Sequence, residues 1–536
     1  MKATEALWLL TVPVSALLVA AFARRVGLSA PLVLVIGGLV LSFLPGVPHV
    51  ELDPHIVLFF FLPPLLFSAA WESSTINLRR NSSWIVLLSV GLVLFTTLVI
   101  GYAAHLMIPG LPLPAAFALG AIVAPPDAVA AVSVARRLGL PRRIVTILVG
   151  ESLFNDATAL TALRLAVAAA VGAGFTLLDG VREFLMAAVL GTVVGLALGP
   201  PLHWLRTRLR DPLVENAMVL AAPFAAYLIA EAAQSSGVIA VVVSGLYLGH
   251  RFPEAPAATR LIGHAFWKVL IFVLESVVFL LIGLQLPLVV QGLTPRYAWT
   301  SLAVWASAIF GLVVLARFVY VFAVTSLRLR VARLTGRGDP GPVPLGGRVV
   351  VGWAGMRGVV SLAAAFAIPF TDEAGRPFPA RELILFLTFT TVLATLLVQG
   401  LTFPTLIRRL GVGSERERYS DTVSEAGAQH AAANAALRRL DELLAEEEEQ
   451  PDEAVVQRLR QLAEHRQRSA WEQLGGGTAM GGMETPSSTY RRLRREMLAA
   501  ERGVFIEMRN QRRIDDEVLN RVLHELDLEE AALNRP

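Results

Sequence analysis

The sequence contains no cysteine, which excludes disulfides, thiol catalysis, iron–sulfur clusters and thiolate zinc sites. Histidine is sparse, and its nine copies are scattered without the spacing of a metal site. Charged residues are also few, at 17% of the chain, whereas hydrophobic residues make up 55% and the mean hydropathy is +0.59. Because a soluble domain of this length carries more charge and fewer continuous apolar runs, we interpret the chain as a membrane protein.

Outside short loops, the chain before about residue 408 consists of apolar blocks of roughly 17 to 27 residues. These blocks predict an all-α polytopic membrane protein with about thirteen transmembrane helices. Residues 411–536 are polar and contain helix-forming stretches, so we divide the chain into a transmembrane domain, 1–410, and an α-helical tail, 411–536. The predicted spans lie near residues 6–22, 30–45, 55–71, 83–108, 113–135, 143–171, 182–204, 213–232, 236–250, 265–290, 298–326, 348–370 and 382–407.

Positive charge alternates between rich and poor loops along the predicted spans, as expected for the two sides of a membrane. An odd number of spans then places the N-terminus outside and the tail in the cytoplasm. The arginines are therefore topology signals, and the net charge of +4 does not predict a nucleic-acid partner. The rich loops hold Arg24, Arg25, Arg79, Arg80, Arg136, Arg137, Arg142, Arg143, Arg206, Arg208, Arg210, Arg251, Arg260, Arg328, Arg330, Arg333 and Arg337, and the poor loops hold Lys2, Arg182, Arg296, Arg376 and Arg381.

Charged side chains within the spans are functional candidates, because placing one in hydrocarbon is unfavourable by roughly 2.5–3.5 kcal/mol on insertion scales. Acids and bases occur together, which permits internal pairing. The candidates are Asp127, Glu151, Asp156, Glu275, Arg317 and Arg357.

Pro125 and Pro126 interrupt the fifth span directly before Asp127. Each proline lacks an amide hydrogen, so the carbonyls of Ala121 and Ile122 lose their helical partners and the helix must break. At bilayer depth a break survives only where it is buried in protein or lines a cavity. The freed carbonyls and the Asp127 carboxylate offer the hard oxygen ligands that a dehydrated Na⁺ or Li⁺ needs. The alternative is a simple proline kink with Asp127 hydrogen-bonded to a neighbour.

Three glycines within seven residues, Gly352, Gly355 and Gly358, weaken the twelfth span at its middle. The fifth and twelfth spans run in opposite directions, and each is second in a set of three spans. Two interrupted helices in such positions are typical of an inverted-repeat transporter. Close helix packing would also explain Gly352 and Gly355, but it does not explain the charge of Arg357.

The sixth span places Ser152 and Asp156 four residues apart, so they share one helix face. A hydroxyl one turn from a carboxylate forms part of a cation site. Glu151 and Asn155 share the adjacent face, and Glu151 needs a neutralising partner, for which we predict Arg357. Without such interactions a buried acid would be protonated.

Five segments match the motifs of a known family, and they occur in the same order and with the same spacing as in that family. They are Phe61-Leu-Pro-Pro-Leu-Leu-Phe67, Ala124-Pro-Pro-Asp127-Ala-Val-Ala, Gly150-Glu-Ser-Leu-Phe-Asn-Asp156, Ser236-Gly-Val-Ile-Ala-Val-Val-Val-Ser-Gly245 and Gly352-Trp-Ala-Gly-Met-Arg-Gly358. At these residues the chain resembles the bacterial antiporters of the first cation–proton antiporter family, the NhaP/NHE-like Na⁺/H⁺ exchangers. The resemblance covers roughly residues 5–410 and leaves the tail outside.

The resemblance implies a bacterial inner-membrane homodimer in which a six-helix core moves against a dimerisation domain as an elevator. It implies that Asp156 binds the ion and carries the proton, with Asp127 and Ser152 as further Na⁺ ligands and Asn155 as the orienting neighbour. An asparagine at position 155 is the family's mark of electroneutral one-for-one exchange. No cofactor is implied beyond the transported ions.

The same resemblance implies supporting roles for the remaining charges. Glu151 and Arg357 correspond to a structural ion pair, and Arg317 to a second core-stabilising arginine; Glu275 is grouped with Arg317 as a supporting residue. Two positions depart from the family pattern. Ser68 stands where many relatives carry an acid that helps to hold Na⁺, and Pro126 stands where threonine is frequent.

Several functions remain open at this point. A K⁺/H⁺ antiporter is the close alternative to Na⁺/H⁺ exchange, and a cation channel or a transmembrane sensor with the tail as its output is a different class. An intramembrane hydrolase with two aspartates is the enzymatic alternative, because paired acids can activate water. The sequence of the tail does not indicate which ligand it binds.

Overall fold

A computed structural model of the protein describes residues 3–27, 30–43, 57–171, 177–209, 211–293, 297–335, 343–371, 376–412, 415–446, 451–474 and 486–533. Within these ranges the regular structure is helical, apart from one isolated β-bridge between Thr371 and Pro377. The chain divides into two compact units, Met1–Gly413 and Ser414–Pro536. The expectation of an essentially all-α chain is confirmed.

The first unit is a bundle of apolar helices. The helices are α1 (Ala3–Val26), α2 (Ala30–Ser42), α3 (Phe59–Trp71), α4 (Thr75–Arg80), α5 (Ser82–Met107), α6 (Leu113–Val123), α7 (Ala128–Arg137), α8 (Arg142–Ala170), α9 (Leu177–Leu209), α10 (Pro212–Ala232), α11 (Gly237–His250), α12 (Ala257–Leu293), α13 (Trp299–Thr335), α14 (Leu345–Trp353), α15 (Val359–Phe366) and α16 (Arg381–Leu410). Within the described residues, α5, α8, α9, α10, α12, α13 and α16 are long and apolar enough to cross a membrane, and α2, α3, α6 and α11 are shorter apolar helices.

The local sequence sets the start of helix α10. Asp211 precedes α10, and its carboxylate accepts hydrogen bonds from the amides of Leu213 at 2.8 Å and Val214 at 3.3 Å. Pro212 occupies the first position of the helix, where its missing amide hydrogen has no consequence. These interactions satisfy amides that a helix otherwise leaves unpaired at its N-terminus.

Small residues allow α2 and α12 to pack closely. A Cβ atom on Gly283 would lie 2.8 Å from the Leu39 amide nitrogen, and one on Gly38 would lie 3.0 Å from the Cα of Gly283. Both approaches are closer than side chains permit, so the two backbones touch through their glycines.

Both predicted helix interruptions are present. α6 ends at Val123 and α7 begins at Ala128, while α14 ends at Trp353 and α15 begins at Val359. The two breaks are joined directly, since the amide of Asp127 donates a hydrogen bond to the carbonyl of Met356 at 2.7 Å. The breaks therefore meet within the bundle and fix the position of Asp127.

The second unit consists of α17 (Glu415–Glu446), α18 (Glu453–Leu474), α19 (Pro486–Asn510) and α20 (Asp516–Leu533). Ion pairs join α19 to α20: Arg494 contacts Glu529 at 2.6 and 2.8 Å, and hydrogen bonds from Arg494 lower the pKa of the Glu529 carboxyl. Arg502 contacts Asp527 at 2.8 Å and Glu530 at 2.6 Å. These pairs fix the two helices side by side, although exposed pairs contribute little stability individually.

Candidate cation site

A cavity of about 350 Å³ lies between α3, α8, α12 and the two helix breaks. Asp127, Ser152 and Asp156, which the sequence analysis assigned to cation binding, all line it. Arg24 and Arg136, from two of the arginine-rich loops, line it as well. The cavity therefore extends from the predicted cation ligands towards the arginine-rich side of the bundle.

Asp156 lies deep in the wall of this cavity, with only 5% of its surface exposed. Ser152, one turn earlier on α8, is half-buried and lines the same space. The neighbouring Leu153 and Ala157 are buried in the apolar core. Asp156 and Ser152 therefore line the same cavity from α8.

Asp127 is the last residue of the α6–α7 break, and its carboxylate packs against Gly358 at the start of α15. A Cβ atom added to Gly358 would overlap Oδ2 of Asp127 and would lie 2.6 Å from its Cγ. The backbone of Gly358 is extended, with φ at −136°, so the glycine is required by space and not by backbone conformation. Gly358 is therefore what allows the carboxylate to lie between the two breaks.

Asn155 connects α8 to the first break. Its side-chain nitrogen donates a hydrogen bond to the carbonyl of Pro126 at 2.7 Å, and the residue is fully buried. Asn155 is not among the residues that line the cavity. This geometry suits a residue that orients the break beside Asp156 better than a direct cation ligand.

The predicted partner of Glu151 is wrong in this structure. Glu151 pairs with Arg317 of α13, whose guanidinium contacts the two carboxylate oxygens at 2.5 and 2.8 Å. Both side chains are 1% exposed, and Arg317 also donates to the carbonyl of Val351 at 2.9 Å. Two parallel hydrogen bonds match the planar guanidinium to the carboxylate, which explains why Arg317 takes this position.

Arg357 instead binds backbone carbonyls at the helix breaks. Its guanidinium donates to Val123 at 2.9 Å and to Ala124 at 3.2 Å, and it also contacts the carbonyl of Gly355. Its amide donates to the hydroxyl of Thr395 at 3.0 Å. The C-terminal end of α6 carries partial negative charge and unpaired carbonyls, and a buried cation satisfies both. Arg357 is thus a cap for the interrupted helix.

Further oxygen-bearing side chains line the cavity from the other helices. Glu275 projects from α12, near Arg24, whose guanidinium lies 4.0 Å from the ring centroid of Phe272. Ser68 of α3 is 7% exposed and contributes a neutral hydroxyl. Ser361 also lines the cavity and was not predicted as a site residue; the available signal was its position as the one polar residue in Val359–Phe366.

The donor set indicates what the cavity can bind. Carboxylate and hydroxyl oxygens are hard ligands, which suit alkali cations and protons. The arrangement therefore suits reversible binding of a monovalent cation in exchange for protons on carboxylates.

Comparison with known proteins places these features in context. The family model described as "Sodium/hydrogen exchanger, transmembrane" matches residues 14–409. An uncharacterized Na⁺/H⁺ exchanger of Mycobacterium tuberculosis is 35% identical over 520 residues, covering 96% of this chain and 93% of the relative. A sodium, potassium, lithium and rubidium/H⁺ antiporter of Bacillus pumilus is 33% identical over 386 residues, covering 70% of this chain and 57% of the relative. The solved sodium proton antiporter MjNhaP1 of Methanocaldococcus jannaschii has a similar fold, with a TM-score of 0.61, 20% identity and coverage of 77% of this chain and 100% of that structure.

Proposed function

Because this chain belongs to the sodium/hydrogen exchanger family, we propose that it exchanges Na⁺ for H⁺ at the cavity that contains Asp156. It is a secondary transporter of the membrane and not an enzyme. The observation that carries the proposal is the convergence of Asp127, Ser152 and Asp156 in one cavity beside a helix break. Together these side chains offer hard oxygen ligands and a carboxylate that also accepts a proton.

In the proposed mechanism, Asp156 binds either H⁺ or Na⁺, so each ion displaces the other. Asp127 and Ser152 supply further oxygens for the cation, and Asn155 positions the break through its bond to Pro126. The Glu151–Arg317 pair is neutral overall, so we exclude Glu151 from the carboxylates that change charge and assign that change to Asp156. One ion per cycle in each direction makes the exchange electroneutral.

Alternating access would come from movement of one part of the bundle against the other. We assign α5 to α8 and α13 to α16 to a mobile six-span core, because these sets contain the two interrupted helices in equivalent positions. The remaining helices, α1 to α3 and α9 to α12, would form the dimerisation domain of a homodimer. With each interrupted helix counted once, this assignment gives about thirteen spans.

The cavity supports an assignment of sidedness. Arg24 and Arg136 at its edge belong to the arginine-rich loops, which the positive-inside rule places in the cytoplasm. On this assignment the N-terminus is outside the plasma membrane of a bacterium, residues 411–536 form a cytoplasmic tail, and the cavity faces inward.

A K⁺/H⁺ antiporter is the second candidate. The family resemblance implies an acid in many relatives at the position of Ser68, and the neutral hydroxyl here would reduce the field strength available to the smaller and more strongly hydrated Na⁺. One relative is itself named as an antiporter of sodium, potassium, lithium and rubidium. We keep Na⁺ as the preferred ion because the family model is that of sodium/hydrogen exchangers.

The test uses purified protein in liposomes that contain a pH-sensitive dye. Na⁺, Li⁺ and K⁺ are added in separate experiments. We expect Na⁺ to drive proton movement at a rate that does not depend on the membrane potential. Asp156→Asn should abolish the response, whereas Asp441→Asn, the same change at an exposed tail position, should not. Cation flux without proton movement would indicate a channel and would overturn the proposal.

A further inference from the structure

Ser361 combines deep burial with an unused hydroxyl at the cation cavity. It lies in the first turn of α15, after the N-cap Gly358, and is 1% exposed. Its hydroxyl has no hydrogen-bond partner among the described residues, and the residue lines the same cavity as Asp127 and Asp156.

The position of Ser361 in its helix removes one common acceptor for its hydroxyl. Several buried serines and threonines elsewhere in the bundle donate to the carbonyl four residues earlier, as Ser276 does to Phe272 at 2.7 Å and Thr391 does to Leu387 at 2.6 Å. Four residues before Ser361 is Arg357, which lies in the helix break. The usual intrahelical acceptor is therefore missing, and a buried hydroxyl without a partner is unfavourable.

We propose that Ser361 contributes its hydroxyl oxygen to the transported cation, as a specificity-determining ligand from the second interrupted helix. This inference rests on the proposed function. It gives the cation an oxygen from α15 in addition to those of α8 and the α6–α7 break. Ser361 would be a neutral ligand, as Ser68 is. Selection among Na⁺, Li⁺ and K⁺, which carry the same charge, would then depend on cation size and hydration.

The proposal separates cation affinity from proton affinity. Loss of the Ser361 oxygen should weaken cation binding and leave proton binding at Asp156 almost unchanged. We expect Ser361→Ala to raise the apparent KM for Na⁺ about tenfold at alkaline pH, which corresponds to about 1.4 kcal/mol. The maximal rate at saturating Na⁺ and the pH below which KM starts to rise should both stay close to those of the wild type.

The experiment measures KM for Na⁺, Li⁺ and K⁺ at several pH values in proteoliposomes. Ser361→Thr retains a hydroxyl and should restore a KM near that of the wild type. Thr388→Val is the matched control, because the Thr388 hydroxyl is also buried and without a partner among the described residues, but does not line the cavity. An unchanged KM in Ser361→Ala, or an equal change in Thr388→Val, would overturn the proposal.

A second measurement does not depend on transport. Na⁺ should raise the thermal stability of the purified wild-type protein at alkaline pH, because a ligand that binds only the folded state stabilises it. Ser361→Ala should need about tenfold more Na⁺ for the same shift. If Ser361→Ala does not fold, Ser361→Cys provides the same comparison, because a thiol is a poor ligand for Na⁺. An equal Na⁺ requirement in variant and wild type overturns the role of Ser361, whereas a wild type that Na⁺ neither stabilises nor drives to exchange protons overturns the proposed function itself.

Discussion

The Glu151–Arg317 pair should dominate the electrostatic stability of the bundle. Its two contacts, at 2.5 and 2.8 Å, join side chains that are each 1% exposed. Removal of one partner leaves the other charge buried and unpaired, so Glu151→Ala and Arg317→Ala should each lower the free energy of unfolding by about 3–5 kcal/mol. The double variant should lose much less than the sum, because it leaves no unpaired charge.

The assay is a double-mutant cycle on the unfolding free energy of detergent-solubilised protein. The control cycle combines Glu151→Ala with Arg357→Ala. Arg357 binds the carbonyls of Val123 and Ala124, so its coupling to Glu151 should be clearly smaller than that of Arg317. A Glu151–Arg357 coupling equal to or larger than the Glu151–Arg317 coupling would refute the pairing described here.

Two further substitutions test the geometry at the helix breaks. Gly358→Ala should reduce exchange at least tenfold with little loss of folded protein, because the added Cβ displaces the Asp127 carboxylate; Gly311→Ala, where a Cβ meets no atom within 4 Å, should transport normally. Asn155→Ala removes the bond to the Pro126 carbonyl and should lower the stability by roughly 1–3 kcal/mol as well as slow the exchange. Normal transport by Gly358→Ala, or an Asn155→Ala protein as stable as the wild type, would contradict these roles.

Much of the fold follows from sequence because its determinants are local. Pro125 and Pro126 remove backbone donors, so the position of the α6–α7 break is fixed by two adjacent residues. The α14–α15 break follows from a cluster of glycines in the same way. The shared face of Ser152 and Asp156 is a consequence of helical periodicity, and the structure places both in one cavity.

The partner of Glu151 could not be predicted on those grounds. Arg317 and Arg357 are both buried cations far from Glu151 in sequence, and nothing local distinguishes them. Which arginine pairs with Glu151 depends on how α13 packs. It also depends on the unpaired carbonyls at the end of α6, to which Arg357 donates hydrogen bonds. Ser361 was missed for a related reason, since a lone serine in an apolar run is only a weak signal until its position just after the helix break is known.

The most direct test of the account is the pH dependence of the apparent KM for Na⁺, measured on purified protein in liposomes from about pH 5 to about pH 9. If Na⁺ and H⁺ compete for Asp156, KM should rise about tenfold for each unit that pH falls below the titration point of the site, and should be constant above it. The maximal rate at saturating Na⁺ should change far less over the acidic part of the range. An apparent KM that stays the same across the whole range would mean that the two ions do not share Asp156, which would contradict the mechanism.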